Sequence, residues 1–278
     1  MKAKQMKFFY TYLLFVIFGF DAVAQKLPDI QSSKITAPTS VRMDGKLQEW
    51  NGFAAENRRA DLFYTIANDE KNLYLVIKAT NNEAITKIMS GGVSFTVNTK
   101  GRKKEGDGYT ITYPTIVRNS VGRTGGQGQN RQRMGQGRTE QTQVQRDSLA
   151  LVQRKAQLAG IKEIKISGFK NIPDSLVSIY NEHGIKAVGK MDEQGAYVYE
   201  MAIPFALMDV NINDVKEFAY QIKLNGRSDA GNFTMRTNAG GGGFGGGNRG
   251  NFGGGNANTA RQDLMVATDF WGKYIFQK

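Results

Sequence analysis

The sequence predicts an all-β protein: an antiparallel β-sandwich with two low-complexity loop insertions and one short helix. Three observations carry this. Short runs rich in aromatic and β-branched residues alternate with turn residues at the spacing of an antiparallel meander. Within one run, Leu73, Leu75 and Ile77 fall on one face and Tyr74, Val76 and Lys78 on the other. A strand with apolar groups on both faces belongs inside layered structure. Sustained helical spacing is confined to residues 147–159, where Leu149, Val152 and Ala156 share a face and Gly160 stops the helix.

The first element is not part of the fold. Lys2, Lys4 and Lys7 precede an apolar stretch over residues 8–20, and Ala22, Val23 and Ala24 supply a small-x-small cleavage pattern. Thirteen residues fall short of the roughly 20 that a membrane helix needs. The segment 1–24 therefore reads as a signal peptide, with Gln25 as the first mature residue and export to the periplasm, the outer surface or the medium. No second apolar run of spanning length follows. There is no cysteine, which excludes disulfides, thiolate metal sites and cysteine catalysis. A mature chain of about 250 residues builds a core without such staples, and residues 25–278 read as one domain.

The later elements follow in order. An Asp44-Gly45 turn leads to Trp50, and two strands flank the polar turn at 68–72. A second hairpin has its polar turn at 100–108. Residues 118–146 lose all periodicity and are dominated by Gly, Gln and Arg, so they cannot bury enough apolar surface to fold and read as a disordered insertion. Strand segments then recur to residue 225. A Gly-rich loop over 238–260 holds eleven glycines between 240 and 256, with Phe244, Phe252 and Arg249 among them. A last apolar segment contains Trp271.

Removing Lys2, Lys4, Lys7 and Asp21 from the charge count leaves 34 Lys and Arg against 24 Asp and Glu, a net +10. That excess favours anionic surfaces, although much of it sits in the 118–146 segment. Export sets aside cellular nucleic acid as a partner for the Gly-Arg-Phe run. Catalytic constellations are not visible. The single histidine, His183, sits in a turn without a cysteine or serine motif beside it. The G-x-x-x-x-G-K string at 184–190 ends on Met191, where a P-loop needs a hydroxyl, and no helix start follows it. Asp44, Glu49, Asp69, Glu200 and Asp269 lie beside apolar strand residues, and their spacing singles out no pair.

Four stretches resemble a known family. The run 41–50, V-R-M-D-G-K-L-Q-E-W, is similar to the opening of family-nine carbohydrate-binding modules and their DOMON-like relatives. The hairpin I-A-N-D-E-K-N-L-Y-L, the strand G-A-Y-V-Y-E-M-A-I-P and the strand F-A-Y-Q-I-K-L-N follow in the family's order. The resemblance implies a β-sandwich that binds sugars through two clamping tryptophans, with structural calcium. It assigns Trp50 to the packing at the bottom of the sandwich. The chain departs from the family at the clamp. Residues 87–93 hold no tryptophan, the Gly-rich loop replaces the second clamp position, and the acidic calcium ligands have no counterpart. Phe244, Phe252, Arg249 and Trp271 are then the candidate ligand-binding residues, although Trp271, inside the last strand, also suits the core. The expected function is a non-catalytic exported module binding carbohydrate or an anionic cell-surface glycan, without a cofactor. The alternative is an envelope structural protein that binds another envelope protein through its loops.

Overall fold

The computed structural model describes residues 26–116, 142–211, 217–227, 264 and 266–276. The expected signal peptide 1–24, nearly all of the expected 118–146 insertion and the expected 238–260 loop lie outside the described residues.

The described chain forms a sandwich of two antiparallel sheets. The first contains β1 (Ala55–Asn57), β2 (Leu62–Asn68), β3 (Asn72–Ala79), β8 (Lys186–Met191) and β9 (Tyr197–Pro204), in the order β1-β2-β3-β9-β8. The second contains β4 (Val93–Asn98), β5 (Tyr109–Tyr113), β6 (Glu163–Ser167), β7 (Leu176–Ser178), β10 (Glu217–Leu224) and β11 (Thr268–Ile275). Its order is β11-β10-β4-β5-β6-β7. The two hairpins expected around residues 68–72 and 100–108 are β2–β3 and β4–β5. At the first, Asp69 fixes the turn: Oδ1 accepts from the Lys71 and Asn72 amides at 2.7 and 2.6 Å, and Oδ2 from the Tyr74 hydroxyl at 2.7 Å.

Strand alternation sends one face of each sheet into a common core. Tyr64, Ile66, Leu75, Tyr199 and Met201 meet Phe95, Val97, Phe218, Tyr220 and Ile222, all at most 1% exposed. The hydroxyls of Tyr64 and Tyr220 bond across the layers at 2.9 Å. A smaller cluster of Ala37, Trp50, Ala67, Tyr74, Val76 and Ala202 lies on the outer face of the five-stranded sheet. It exists because the N-terminal segment folds back over that face. Gln31 holds the segment, its side-chain amide donating to the Ile66 carbonyl and accepting from the Ile66 amide, both at 2.7 Å.

Two helices lie among the described residues, where the sequence reading expects one. Helix α1 (Asn82–Gly91) starts at Asn81, whose side chain accepts from the Glu83 amide at 2.7 Å, and buries Ala84, Ile85, Ile88 and Met89. A polar capping residue followed by an apolar stripe is an ordinary helix signal; in the sequence it is hidden among short strand segments. Helix α2 (Gln143–Ala159) begins four residues before the expected Asp147, because Thr142 and Gln145 form a capping box. Residues 143–146 of the supposed insertion are therefore helical. The face shared by Leu149, Val152 and Ala156 is exposed. The helix instead meets the body along Leu151 and Leu158.

Candidate functional site

The residues that make the sequence distinctive converge on the outer face of the five-stranded sheet. Glu200 of β9 pairs with Val76 of β3, and its side chain points away from the main core. The Asp44-Gly45 turn and Trp50 close over it. Glu200 Oε2 accepts from the Gly45 amide at 2.7 Å, and Oε1 from the Trp50 indole N–H at 3.1 Å. Gly45 has a φ of +74°, and a Cβ there would press on the Lys190 side chain at 2.8 Å, so the turn needs glycine. Glu49 steadies the same loop by accepting from the Arg42 amide at 2.8 Å. Glu200 is wholly buried. Burial raises its carboxyl above the usual carboxylate value against the lowering pull of the two hydrogen bonds, and Glu49 and Asp44 add to the rise.

Trp50 thus packs on the outside of the first sheet, edge-on to Tyr74 at 6.1 Å, not at the bottom of the sandwich. Its indole N–H is taken and its ring is 8% exposed. A cleft of about 230 Å³ runs alongside, past Pro38, Glu49, Asn51 and Phe53. The tryptophan in its wall is already committed to packing. This region is a latch that seals the N-terminal segment to the sheet.

The outer face of the six-stranded sheet is built differently. On β11, Phe270, Gly272 and Tyr274 turn inward, so Asp269, Trp271 and Lys273 turn outward. Trp271 is paired with Gln221 of β10. It is half-buried, and it has neither a hydrogen bond nor a ring partner among the described residues. The core position open to it in the sequence is not the one it takes. The Gln221 amide nitrogen donates to Glu105 at 2.6 Å and to Asp269 at 2.9 Å. The Lys223 ammonium stands 3.9 Å from Glu105. Rows of hydroxyls continue the face toward β5, with Thr96 and Thr110 2.9 Å apart and Ser94 and Thr112 2.7 Å apart.

This arrangement joins an aromatic ring with a free indole N–H to two carboxylates held in fixed orientation by one amide. Each carboxylate still has lone pairs that can accept from a ligand's hydroxyls. Both serve Gln221 as acceptors, which fixes their orientation on the sheet. An exposed ring beside convergent polar groups is how a sugar's C–H face and hydroxyls are recognised together.

Of the four candidate residues, Trp271 is on this face, while Phe244, Phe252 and Arg249 lie outside the described residues. Gln221, Glu105 and Lys223 were not singled out by the sequence. Gln221 and Lys223 do carry a signal, as polar positions alternating with apolar ones along F-A-Y-Q-I-K-L. Glu105 carries none, since it sits in a polar turn. Of the five acids beside strands, Asp44, Glu49 and Glu200 come together at the latch, Asp69 caps a hairpin, and Asp269 belongs to the Trp271 face. His183 is in the turn before β8, and the G-x-x-x-x-G-K string runs into β8 without a helix behind it. Among the described residues no three of His, Cys, Asp and Glu gather as a metal cage, and no helix is long and apolar enough to cross a membrane.

No protein-family model matches the chain. No curated protein matches it either.

Proposed function

We propose that this protein is a non-catalytic binding module, exported to the periplasm or cell surface, that takes a carbohydrate on the outer face of its six-stranded sheet. The observation that carries the reading is Trp271: a half-buried indole without a partner among the described residues, on a polar sheet face beside two carboxylates pinned by Gln221. The resemblance to family-nine carbohydrate-binding modules supports the same class of ligand. Glu105 and Asp269 favour neutral or amino sugars over polyanions, because a ligand carboxylate or sulfate would face two like charges there.

A glycan array followed by titration calorimetry tests this. Neutral or amino glycans should bind, Trp271→Ala should abolish binding, and Gln221→Ala should weaken it about tenfold, the equivalent of one good hydrogen bond. The urea midpoint should be unchanged in Trp271→Ala. Binding by Trp271→Ala equal to that of the wild type would remove the site, and an array without hits would remove the function.

A further inference from the structure

A second recess lies at the far edge of the sandwich, where α2 crosses the seam between β8 and the second sheet. It has a volume of about 420 Å³. Its cause is visible in the strand K-A-V-G-K-M. Strand β8 ends the first sheet, and its inward positions include Ala187 and Gly189, much smaller than the Tyr and Met residues on neighbouring β9. At Gly189 the space is taken by the Tyr197 hydroxyl, which would stand 2.4 Å from a Cβ there, so the small residue that opens the recess is Ala187. Helix α2 contributes Leu158 to the floor alongside Tyr113, Ala187 and Met191. All four are at most 6% exposed.

The rim has the opposite character. Lys155 of α2 and Lys162 stand at the mouth, and both are exposed. Neither has an ion-pair partner among the described residues, although other lysines of the chain do. Lys190 also borders the recess, but its side chain lies along Gly45 on the outer face. No Asp or Glu lines the recess. The one titratable group in the floor is the Tyr113 phenol, which burial raises against the lowering effect of the Gly189 backbone, so it stays neutral. Two unpaired cations over an apolar slot call for a ligand with one anionic end and one hydrocarbon body. Neutral sugars satisfy neither half of that demand.

We infer that this groove is a binding site for a single-chain amphipathic carboxylate, with its alkyl chain along Tyr113, Leu158 and Met191 and its head between Lys155 and Lys162. The volume falls in the range of small-ligand sites. Apolar burial supplies the bulk of the attraction, and the lysines select the charged head and its orientation. The site is separate from Trp271, which lies on the edge strand at the opposite end of its sheet.

The test is calorimetric titration of the mature chain with decanoate below its micelle-forming concentration, beside decanol and acetate. Decanoate should bind saturably at one per chain, acetate should not bind, and decanol should bind about tenfold more weakly or worse. The double variant Lys155→Glu, Lys162→Glu should lose at least about tenfold in decanoate affinity. Ala159→Trp, at an exposed position lining the groove, should abolish binding by filling it. Urea midpoints check that each variant is folded, and Trp271→Ala should bind decanoate like the wild type. No saturable decanoate binding would overturn the inference, as would equal affinity for decanol. Undiminished binding by folded Ala159→Trp or by the folded double variant would do the same.

Discussion

Replacing Glu200 should loosen the N-terminal segment from the sandwich, and the size of the effect can be worked from its contacts. Its carboxylate accepts from the Gly45 amide at 2.7 Å and the Trp50 indole at 3.1 Å, and the residue is wholly buried. Hydrogen bonds to charged groups contribute roughly 1.5–3 kcal/mol each, and a buried donor left without a partner costs about 1–3 kcal/mol. Against this stands the cost of burying the charge, which shows in the raised carboxyl pKa. Glu200→Ala should therefore destabilise by about 2–4 kcal/mol, and Trp50→Phe, which removes one bond and leaves the ring volume nearly filled, by about 1–2 kcal/mol. The assay is urea unfolding followed by circular dichroism, with the double variant closing the cycle. If Glu200 holds Trp50, the two changes should be sub-additive by about 1 kcal/mol or more. Additivity within about 0.5 kcal/mol would refute the latch.

The same residue makes a pH prediction with a definite sign. A carboxyl whose folded pKa is raised binds more protons in the native state than in the unfolded one between the two pKa values, so stability falls as pH rises through that window. Wild type minus Glu200→Gln should show that fall, from the ordinary value near 4.5 upward, and then level off. A difference that rises with pH there would contradict the burial account.

The other predictions concern single contacts. Asp69 behaves oppositely to Glu200: burial would raise its carboxyl, but bonds from Tyr74, Lys71 and Asn72 outweigh it and hold the pKa low. The stability it contributes is present above about 3.8 and lost as pH falls through the lower folded value, and Asp69→Asn should erase that dependence in acid urea titrations, at a cost of about 1–2 kcal/mol at neutral pH. Gly189→Ala should destabilise by about 1–3 kcal/mol through the clash with the Tyr197 hydroxyl, and Tyr197→Phe should relieve part of it in the double variant. Tyr197→Phe alone should be neutral or stabilising by up to about 1 kcal/mol, because that hydroxyl is buried without a hydrogen-bond partner. Thermal unfolding of the three variants decides both.

The sandwich was legible because period-two alternation is a local property: Leu73, Leu75 and Ile77 mark the inner face without knowledge of any partner strand. The polar turns at 68–72 and 100–108 were legible for the same reason, since turn chemistry is carried by adjacent residues. Sheet order was not, because β3 pairs with β9, more than a hundred residues away, through backbone groups that every residue has. The wrong face assigned to α2 has a related cause. Leu149, Val152 and Ala156 share a stripe as well as Leu151 and Leu158 do, and only the neighbouring sheet decides which stripe is buried.

The proposed ligand face was legible only at Trp271, and the reason lies in what makes a residue conspicuous in a sequence. The D-G…W string and the glutamate of the V-Y-E-M-A-I-P strand stand out because a left-handed glycine, a large ring and a buried acid are each hard to replace. That difficulty comes from being locked together, as Gly45, Trp50 and Glu200 are. A ligand face needs the reverse: side chains with unused hydrogen-bonding capacity, drawn from distant strands and set among solvent-facing neighbours. Gln221, Glu105 and Asp269 meet only because β10 pairs with β11 and the β4–β5 turn folds over them. The same holds at the α2–β8 groove, where Ala187 matters for the volume it leaves empty. Conspicuous motifs in this chain therefore mark the scaffold's closure, and the sites follow from where side chains are small, unpaired or turned outward.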